Sequence, residues 1–162
     1  MKKLFLCFGL FLLICSGIFA RGNPERNRTF IYVREQTPEV CLAAVKQDGL
    51  NLIYVREQSL EICLAAVRQN SRAFIFVKDQ TPEICLAAVM RNGKNLEYVI
   101  NQTEEICIAA VTENGKSLRY VREQTEEICI AAVKQNPKAI LYVKEQTPAI
   151  ALAAVDQNAR RE

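Results

Sequence analysis

The sequence contains no histidine and no tryptophan. Histidine is the commonest general base and the commonest zinc ligand, so its absence excludes Ser-His-Asp and Cys-His catalytic sites. Seven cysteines are present, but none of their spacings resembles the C-x-x-C pattern of a zinc site. Every prominent polar residue also recurs along the chain, whereas an active site needs different groups that converge once. We therefore predict no catalytic activity, no cofactor and no metal.

A strong excess of one charge is also missing. The chain has 21 Lys and Arg against 18 Asp and Glu, and two of the basic residues, Lys2 and Lys3, lie in an N-terminal leader. The remainder is close to neutral, whereas a domain that binds nucleic acid carries a basic patch. We predict no nucleic-acid partner.

The first 20 residues predict a secretory signal peptide. Lys2 and Lys3 are followed by an apolar run, and a short region of small residues ends at Ala20. Two alternatives remain open: an uncleaved membrane anchor, and a lipoprotein that is lipidated at Cys15. All three place the body of the protein outside the cytoplasm, in the periplasm or secreted, and only the alternatives attach it to a membrane. Residues 21–29 then form a charged linker.

The body of the chain, residues 30–158, repeats with an unbroken period of 22 residues. An aromatic residue marks each of the six copies: Tyr32, Tyr54, Phe76, Tyr98, Tyr120 and Tyr142. A fixed period of this size indicates a repeat array, in which each unit buries its apolar face against its neighbours. Residues 159–162 are left as a C-terminal tail.

Each unit contains a segment such as Ile62-Cys63-Leu64-Ala65-Ala66-Val67, which is apolar on every side and predicts a helix of about ten residues buried between its neighbours. Thr or Ser precedes this segment in every copy and can cap the first turn. Asp-Gly or Asn-Gly follows it in three copies, as at Asn92-Gly93, and predicts a left-handed residue at the helix end.

The other apolar part of each unit, such as LNLIYVREQ from Leu50, is short. Its Tyr, Ile and Val favour a strand, which would give an α/β solenoid like that of leucine-rich repeats. The L-x-x-L-x-L frame of those repeats is not found together with its Asn, so we prefer a short helix. The predicted fold is an all-α solenoid of six units, each a short helix plus a buried helix.

The phrase YVREQTPEVCLAAVKQDG, from Tyr32, resembles a bacterial tandem-repeat family known as domain of unknown function 4116. The resemblance covers about residues 30–158 and rests on ICLAAV and YV-x-E-Q recurring together at fixed spacing. The last unit departs from it, because Ala149 and Ala151 replace Glu and Cys. The resemblance implies a helical repeat and a bacterial source, and it implies no activity or site.

Two side chains recur at structural positions. One cysteine per unit is predicted to be a small buried hydrophobe, because the spacing of stacked helices, about 8–10 Å, is too wide for disulfides. One glutamine per unit is predicted to hydrogen-bond the turn backbone or the next glutamine. The residues are Cys41, Cys63, Cys85, Cys107, Cys129 and Gln36, Gln58, Gln80, Gln102, Gln124, Gln146.

Two functions are open to such an array. The first is a binding or scaffold module for an unknown protein partner, and the second is a structural spacer of the cell envelope. A partner would bind where the units differ, on a face that combines a variable apolar position with a basic column. The residues of that face are Ile31, Ile53, Ile75, Arg34, Arg56 and Lys78.

Overall fold

The computed structural model describes residues 30–159, except for the side chains of residues 157–159. The predicted signal peptide, the linker at residues 21–29 and residues 160–162 lie outside the described residues. The chain divides after Glu35 into two compact parts, which we call the N-terminal part and the main part. The described residues of the N-terminal part contain one 3₁₀ turn at residues 30–32, and the main part contains all the elements named below.

Six α-helices alternate with five 3₁₀ helices in the described residues of the main part. The α-helices are α1 Pro38–Gln47, α2 Leu60–Gln69, α3 Pro82–Arg91, α4 Glu104–Glu113, α5 Glu126–Gln135 and α6 Pro148–Ala159. The 3₁₀ helices are η1 Gly49–Tyr54, η2 Ser71–Phe76, η3 Gly93–Tyr98, η4 Gly115–Tyr120 and η5 Pro137–Tyr142. No strand occurs within residues 30–159. The all-α solenoid is confirmed, and the leucine-rich-repeat-like alternative, which needs a strand in each unit, is wrong.

Each α-helix begins as its sequence predicts. The Thr81 hydroxyl accepts a hydrogen bond from the Ile84 N–H at 3.4 Å, and Pro82 occupies the first helical position, where no backbone N–H is needed. Glu83 lies in the first turn, where its charge favours the helix dipole. The Thr or Ser cap recurs in all six α-helices, so local chemistry fixes where each helix starts.

The prediction of a left-handed residue at the helix ends is wrong. No residue among those described has a positive φ. Asn92, which ends α3, is extended at φ −158° and ψ 105°, and its side chain accepts a hydrogen bond from the Lys94 N–H at 3.2 Å. Asn92 therefore follows the last residue of α3 and is also the N-cap of η3, a position that Asn and Asp favour.

The short segment of each unit is a 3₁₀ helix rather than two α-helical turns. With three residues per turn, side chains at i and i+3 eclipse one another. This period places Gly49, Leu52 and Val55 on one buried line, while Ile53 points to solvent. Gly93, Leu96 and Val99 repeat the pattern. The apolar spacing of the segment matches the 3₁₀ period better than the α-helical one.

The core lies between the α-helices and the 3₁₀ helices, and each internal α-helix contacts the α-helices before and after it. In α3, Ile84, Cys85, Ala88 and Val89 are buried. Leu86 and Ala87 are only half-buried, however, and Met90 is 68% exposed. The prediction of a buried helix is confirmed, but burial on every side is wrong for α3, because solvent reaches the side that carries Leu86 and Ala87.

Candidate functional site

The recurring glutamines join successive units through the backbone. The Gln58 Oε1 atom accepts from the Lys78 N–H at 3.0 Å, and its Nε2 donates to the carbonyls of Phe76 at 3.0 Å and Leu52 at 3.3 Å. An amide suits this place because it both donates and accepts. The equivalent inter-unit bonds are Gln36 to Tyr54 and Arg56, Gln80 to Tyr98 and Ile100, Gln102 to Tyr120 and Arg122, and Gln124 to Tyr142 and Lys144.

The five recurring cysteines, Cys41, Cys63, Cys85, Cys107 and Cys129, are buried free thiols. The Cys63 Sγ lies 3.7 Å from the Gln58 Oε1, to which it donates a weak hydrogen bond. Burial raises the pKa of every one of these thiols, and at four of them a nearby carboxylate, such as Asp79 beside Cys63, raises the pKa further. Because reactive cysteines need a lowered pKa and access to solvent, these five are poor nucleophiles.

The raised pKa values predict a loss of stability in alkali. The folded chain holds its thiol protons to a higher pH than the unfolded chain does, so the free energy of unfolding falls as pH rises through the ordinary thiol pKa of 9.0. Urea unfolding at about pH 7 and about pH 10 measures the fall. Lysine and tyrosine titrate in the same range, so the control is a variant with alanine at all five positions, the residue that the last unit carries at Ala151.

We expect the wild type to lose more stability between the two pH values than the five-alanine variant does. Equal losses in the two proteins would contradict the prediction, because the thiols would then titrate alike in the folded and unfolded chains.

Part of the predicted basic column is directed against the preceding unit. The Lys78 Nζ donates to the carbonyls of Arg56 at 2.7 Å and Val55 at 3.4 Å, at the end of η1. Arg122 makes the same contacts with the carbonyls of Ile100 and Val99, and Lys144 donates to the carbonyl of Arg122. Cations are favourable there, because the last carbonyls of a helix have no partner within it. Arg56 is exposed, and so is Arg34, which belongs to the N-terminal part.

The variable apolar position forms a small exposed patch. Ile53 and Ile75 are 50% and 51% exposed, and they occupy the same place in η1 and η2, which pack against each other. We name these two residues the isoleucine pair. Ile31 is 36% exposed and belongs to the N-terminal part. In later units the position becomes Glu97 and then Arg119, whose guanidinium lies 4.9 Å from the Tyr120 ring centre.

A second apolar surface was missed from the sequence. A groove of about 540 Å³ runs along α3, α4 and the start of α5. We name it the acidic groove: its lining is Leu86, Met90, Ile108, Ala109 and the carboxylates Glu104, Glu105 and Glu127. A signal was present in the sequence, because Met90 stands where three other helices have a cation, Lys46, Arg68 or Lys134. This signal lies in a difference between the units, whereas the predicted structural positions are those that the units share.

A family model described as "Domain of unknown function (DUF4116)" matches the chain three times in tandem, over residues 37–81, 81–125 and 103–147. Together these matches extend from Thr37 to Thr147, which is more than half of the chain. The chain belongs to the DUF4116 family. The resemblance drawn from the repeated phrase is thereby confirmed. No curated protein and no solved structure matches the chain.

Each DUF4116 match spans two successive units, which agrees with a fold whose units are completed by their neighbours. A family of unknown function assigns no activity, so the candidate site rests on the surfaces described above. Within residues 30–159, no three side chains of His, Cys, Asp or Glu lie together as metal ligands. Over the same residues, every helix is too short or too polar to span a membrane.

Proposed function

We propose that this DUF4116 chain is an exported protein-binding module with no catalytic activity. Its leader has the charge, length and order of a secretory signal peptide. The observation that carries the binding role is the isoleucine pair, two half-exposed branched side chains on adjacent 3₁₀ helices. A partner that covers both side chains would remove their exposed apolar surface from water, which contributes favourable free energy to binding.

The backbone around the pair is held in place before a partner arrives. The Gln36 side chain binds the carbonyl of Tyr54, next to Ile53, and the Gln58 side chain binds the carbonyl of Phe76, next to Ile75. Both bonds are 3.0 Å long. Binding to a surface that is already ordered costs little conformational entropy, which raises the affinity for a given contact area.

Five of the six recurring glutamines are engaged within the array, which supports recognition through the residues that vary. Glutamines and the lysines at positions 78 and 144 bind backbone atoms of neighbouring units. Recognition by variable side chains on a constant scaffold is the usual way in which solenoids bind partners.

The test is a cross-linked capture experiment with the full chain, tagged at its C-terminus and expressed in its native cell. Wild type is compared with the double variant Ile53→Ser, Ile75→Ser, and proteins from the envelope and the medium are quantified by mass spectrometry. We expect the double variant to retain a specific partner about tenfold or more less well, because two apolar side chains lose their burial. The intact mass of the bait shows whether residues 1–20 have been removed.

The matched control is Leu141→Ser, which changes the same repeat position at an exposed leucine outside the pair. Far-ultraviolet circular dichroism must show that all variants are folded. A partner that is lost with the double variant and kept with the control supports the binding module. If no partner depends on the isoleucine pair, the proposal is wrong and a structural spacer, anchored or free, becomes the better hypothesis.

A further inference from the structure

We propose that the acidic groove binds a cationic amphipathic helix of a partner protein. This site is separate from the isoleucine pair, since its lining comes entirely from α-helices α3, α4 and α5 and not from a 3₁₀ helix. Its apolar floor would take one hydrophobic side chain of the partner. Its carboxylates would take lysine or arginine side chains beside that anchor.

The charge of the groove is unbalanced within the array. Its lining contains three glutamates and no lysine or arginine. Glu104 is held by the Thr125 hydroxyl, which donates to its Oε1 at 2.8 Å. Glu105 and Glu127 are exposed and make no hydrogen bond or ion pair with the residues that the structure describes. Two carboxylates are therefore available to a cation from outside.

The sequence of α4 accounts for this imbalance. The helix places Glu104 and Glu105 at the groove and carries no basic residue, whereas α1 and α2 each carry one acidic and one basic residue. At the place of Lys46 in α1, α4 has Thr112. Positive charge has been removed from the exposed side of the helix and negative charge added, which attracts a cationic partner and repels nucleic acid and anionic membranes.

The floor of the groove departs from the repeat in the apolar direction. Met90 is 68% exposed at a position that is Lys or Arg in three other helices. Beside it, Leu86 and Ile108 are half-buried, so each offers part of its side chain to a ligand. Methionine is flexible and polarisable, and it adapts to apolar side chains of different shapes. An apolar floor and an acidic rim thus coincide in one place.

The spacing of the rim indicates a helical occupant. Glu105 and Glu127 occupy the same position in α4 and α5, and neighbouring packed helices lie about 8–10 Å apart. On an α-helix, residues i and i+7 lie about 10 Å apart along one face. A partner helix that lies across the array with basic residues at i and i+7 could reach Glu105 in α4 and Glu127 in α5, and an apolar residue one helix spacing before i would then face Met90 in α3.

The test is a selection from a random 16-residue peptide library displayed on phage, with the full chain as bait. Peptides are counter-selected on the folded triple variant Met90→Lys, Glu105→Gln, Glu127→Gln. Enriched peptides are synthesised, and their affinity is measured by fluorescence anisotropy at two salt concentrations. Met90→Lys is compatible with folding, because Lys46 and Lys134 occupy the equivalent position.

We expect the enriched peptides to carry two or more basic residues that follow an apolar one in either chain direction. Met90→Lys should weaken their binding by about tenfold or more, and Glu105→Gln with Glu127→Gln by about three- to tenfold with a smaller salt dependence. The matched control is Glu39→Gln with Glu61→Gln, which changes the same helix position in α1 and α2 and should alter affinity by less than about twofold.

Three results would overturn the proposal: no enrichment, enriched peptides that are neutral or acidic, and equal weakening by the control variant, which would indicate general attraction to acidic surface. Light scattering of the wild type covers a further occupant. If the chain forms a dimer that Met90→Lys dissociates, a second copy fills the groove and the proposed partner is wrong. None of these outcomes depends on the isoleucine pair, so the two binding proposals fail separately.

Discussion

Replacing Gly93 by alanine is expected to lower the free energy of unfolding by about 2–3 kcal/mol. A Cβ atom at this position would lie 2.3 Å from the carbonyl oxygen of Ala110, in the next α-helix. That oxygen belongs to the backbone of α4 and cannot rotate away as a side chain would. The close contact can be relieved only if η3 and α4 move apart, and the separation would loosen the core between them.

A second loss adds to the first. The Gly93 N–H donates to the Glu113 Oε2 at 2.5 Å, and the same carboxylate oxygen would lie 2.9 Å from the new Cβ. Relief of the contact therefore also strains a charge-assisted hydrogen bond between the two units. Because Gly93 does not have a positive φ, the expected cost comes from contact between units and not from backbone conformation.

Urea unfolding followed by far-ultraviolet circular dichroism measures the effect. The matched control is Ser71→Ala, at the same position in the preceding unit, where a Cβ is already present; its cost should be below about 0.5 kcal/mol. If Gly93→Ala were as stable as the control, the packing of α4 against η3 would be less rigid than described.

The position of Gly93 and its neighbour across the junction vary together. Gly49, Gly93 and Gly115 each donate to an acceptor in the next α-helix, which is Gln69, Glu113 or Gln135. At Ser71 the neighbour is Arg91, whose side chain cannot accept a hydrogen bond. Asn95, in η3, donates through its Nδ2 to the Ser71 carbonyl at 3.1 Å, in addition to the Ala88 carbonyl at 3.0 Å. The contacts of Ser71 thus differ from those of the three glycines.

The sequence was sufficient for features that local chemistry determines. The start of each α-helix at Thr or Ser follows from residues within one unit, and comparison of the six copies gives the period of 22 residues and the recurring apolar cysteine. Proline and glutamate in the first turn act within a few residues of their own position. Such signals can be interpreted without knowledge of the neighbouring unit.

Features that depend on the neighbouring unit were missed or wrongly explained. Asn92-Gly93 suggests a left-handed cap when it is considered alone, but the glycine is required because α4 approaches it. Lys78 looks like a free cation until the carbonyls at the end of η1 are placed beside it. The acidic groove can be recognised only from two facts together: which side of α3 and α4 faces solvent, and that Met90 replaces a cation. The side that faces solvent is known only from the packing of the helices.

Replacing Gln102 by alanine is expected to lower the free energy of unfolding by about 2–3 kcal/mol, since three hydrogen bonds are lost at about 1 kcal/mol each. The Gln102 Oε1 accepts from the Arg122 N–H at 3.0 Å. Its Nε2 donates to the carbonyls of Tyr120 at 3.0 Å and Leu96 at 3.1 Å. Alanine would leave all three backbone groups without this partner, and two of them belong to the next unit.

The matched control is Gln146→Ala, at the same place in the last unit. Gln146 is exposed and makes no hydrogen bond with the described residues, so its replacement should cost less than about 0.5 kcal/mol. Urea unfolding of both variants gives the difference. In a repeat array a weakened junction can also uncouple the two halves, and a lower slope of unfolding free energy against urea would report that.

Gln102→Glu tests which hydrogen bonds of the amide matter. The carboxylate can still accept from the Arg122 N–H, but it cannot donate to the Tyr120 and Leu96 carbonyls, and its charge faces their oxygens. At neutral pH the variant should therefore be about as unstable as Gln102→Ala. Protonation restores one donor, so its stability relative to wild type should rise as pH falls towards about 4. If the glutamate variant matched wild type at neutral pH, the acceptor alone would hold the units together and the donor bonds would contribute little.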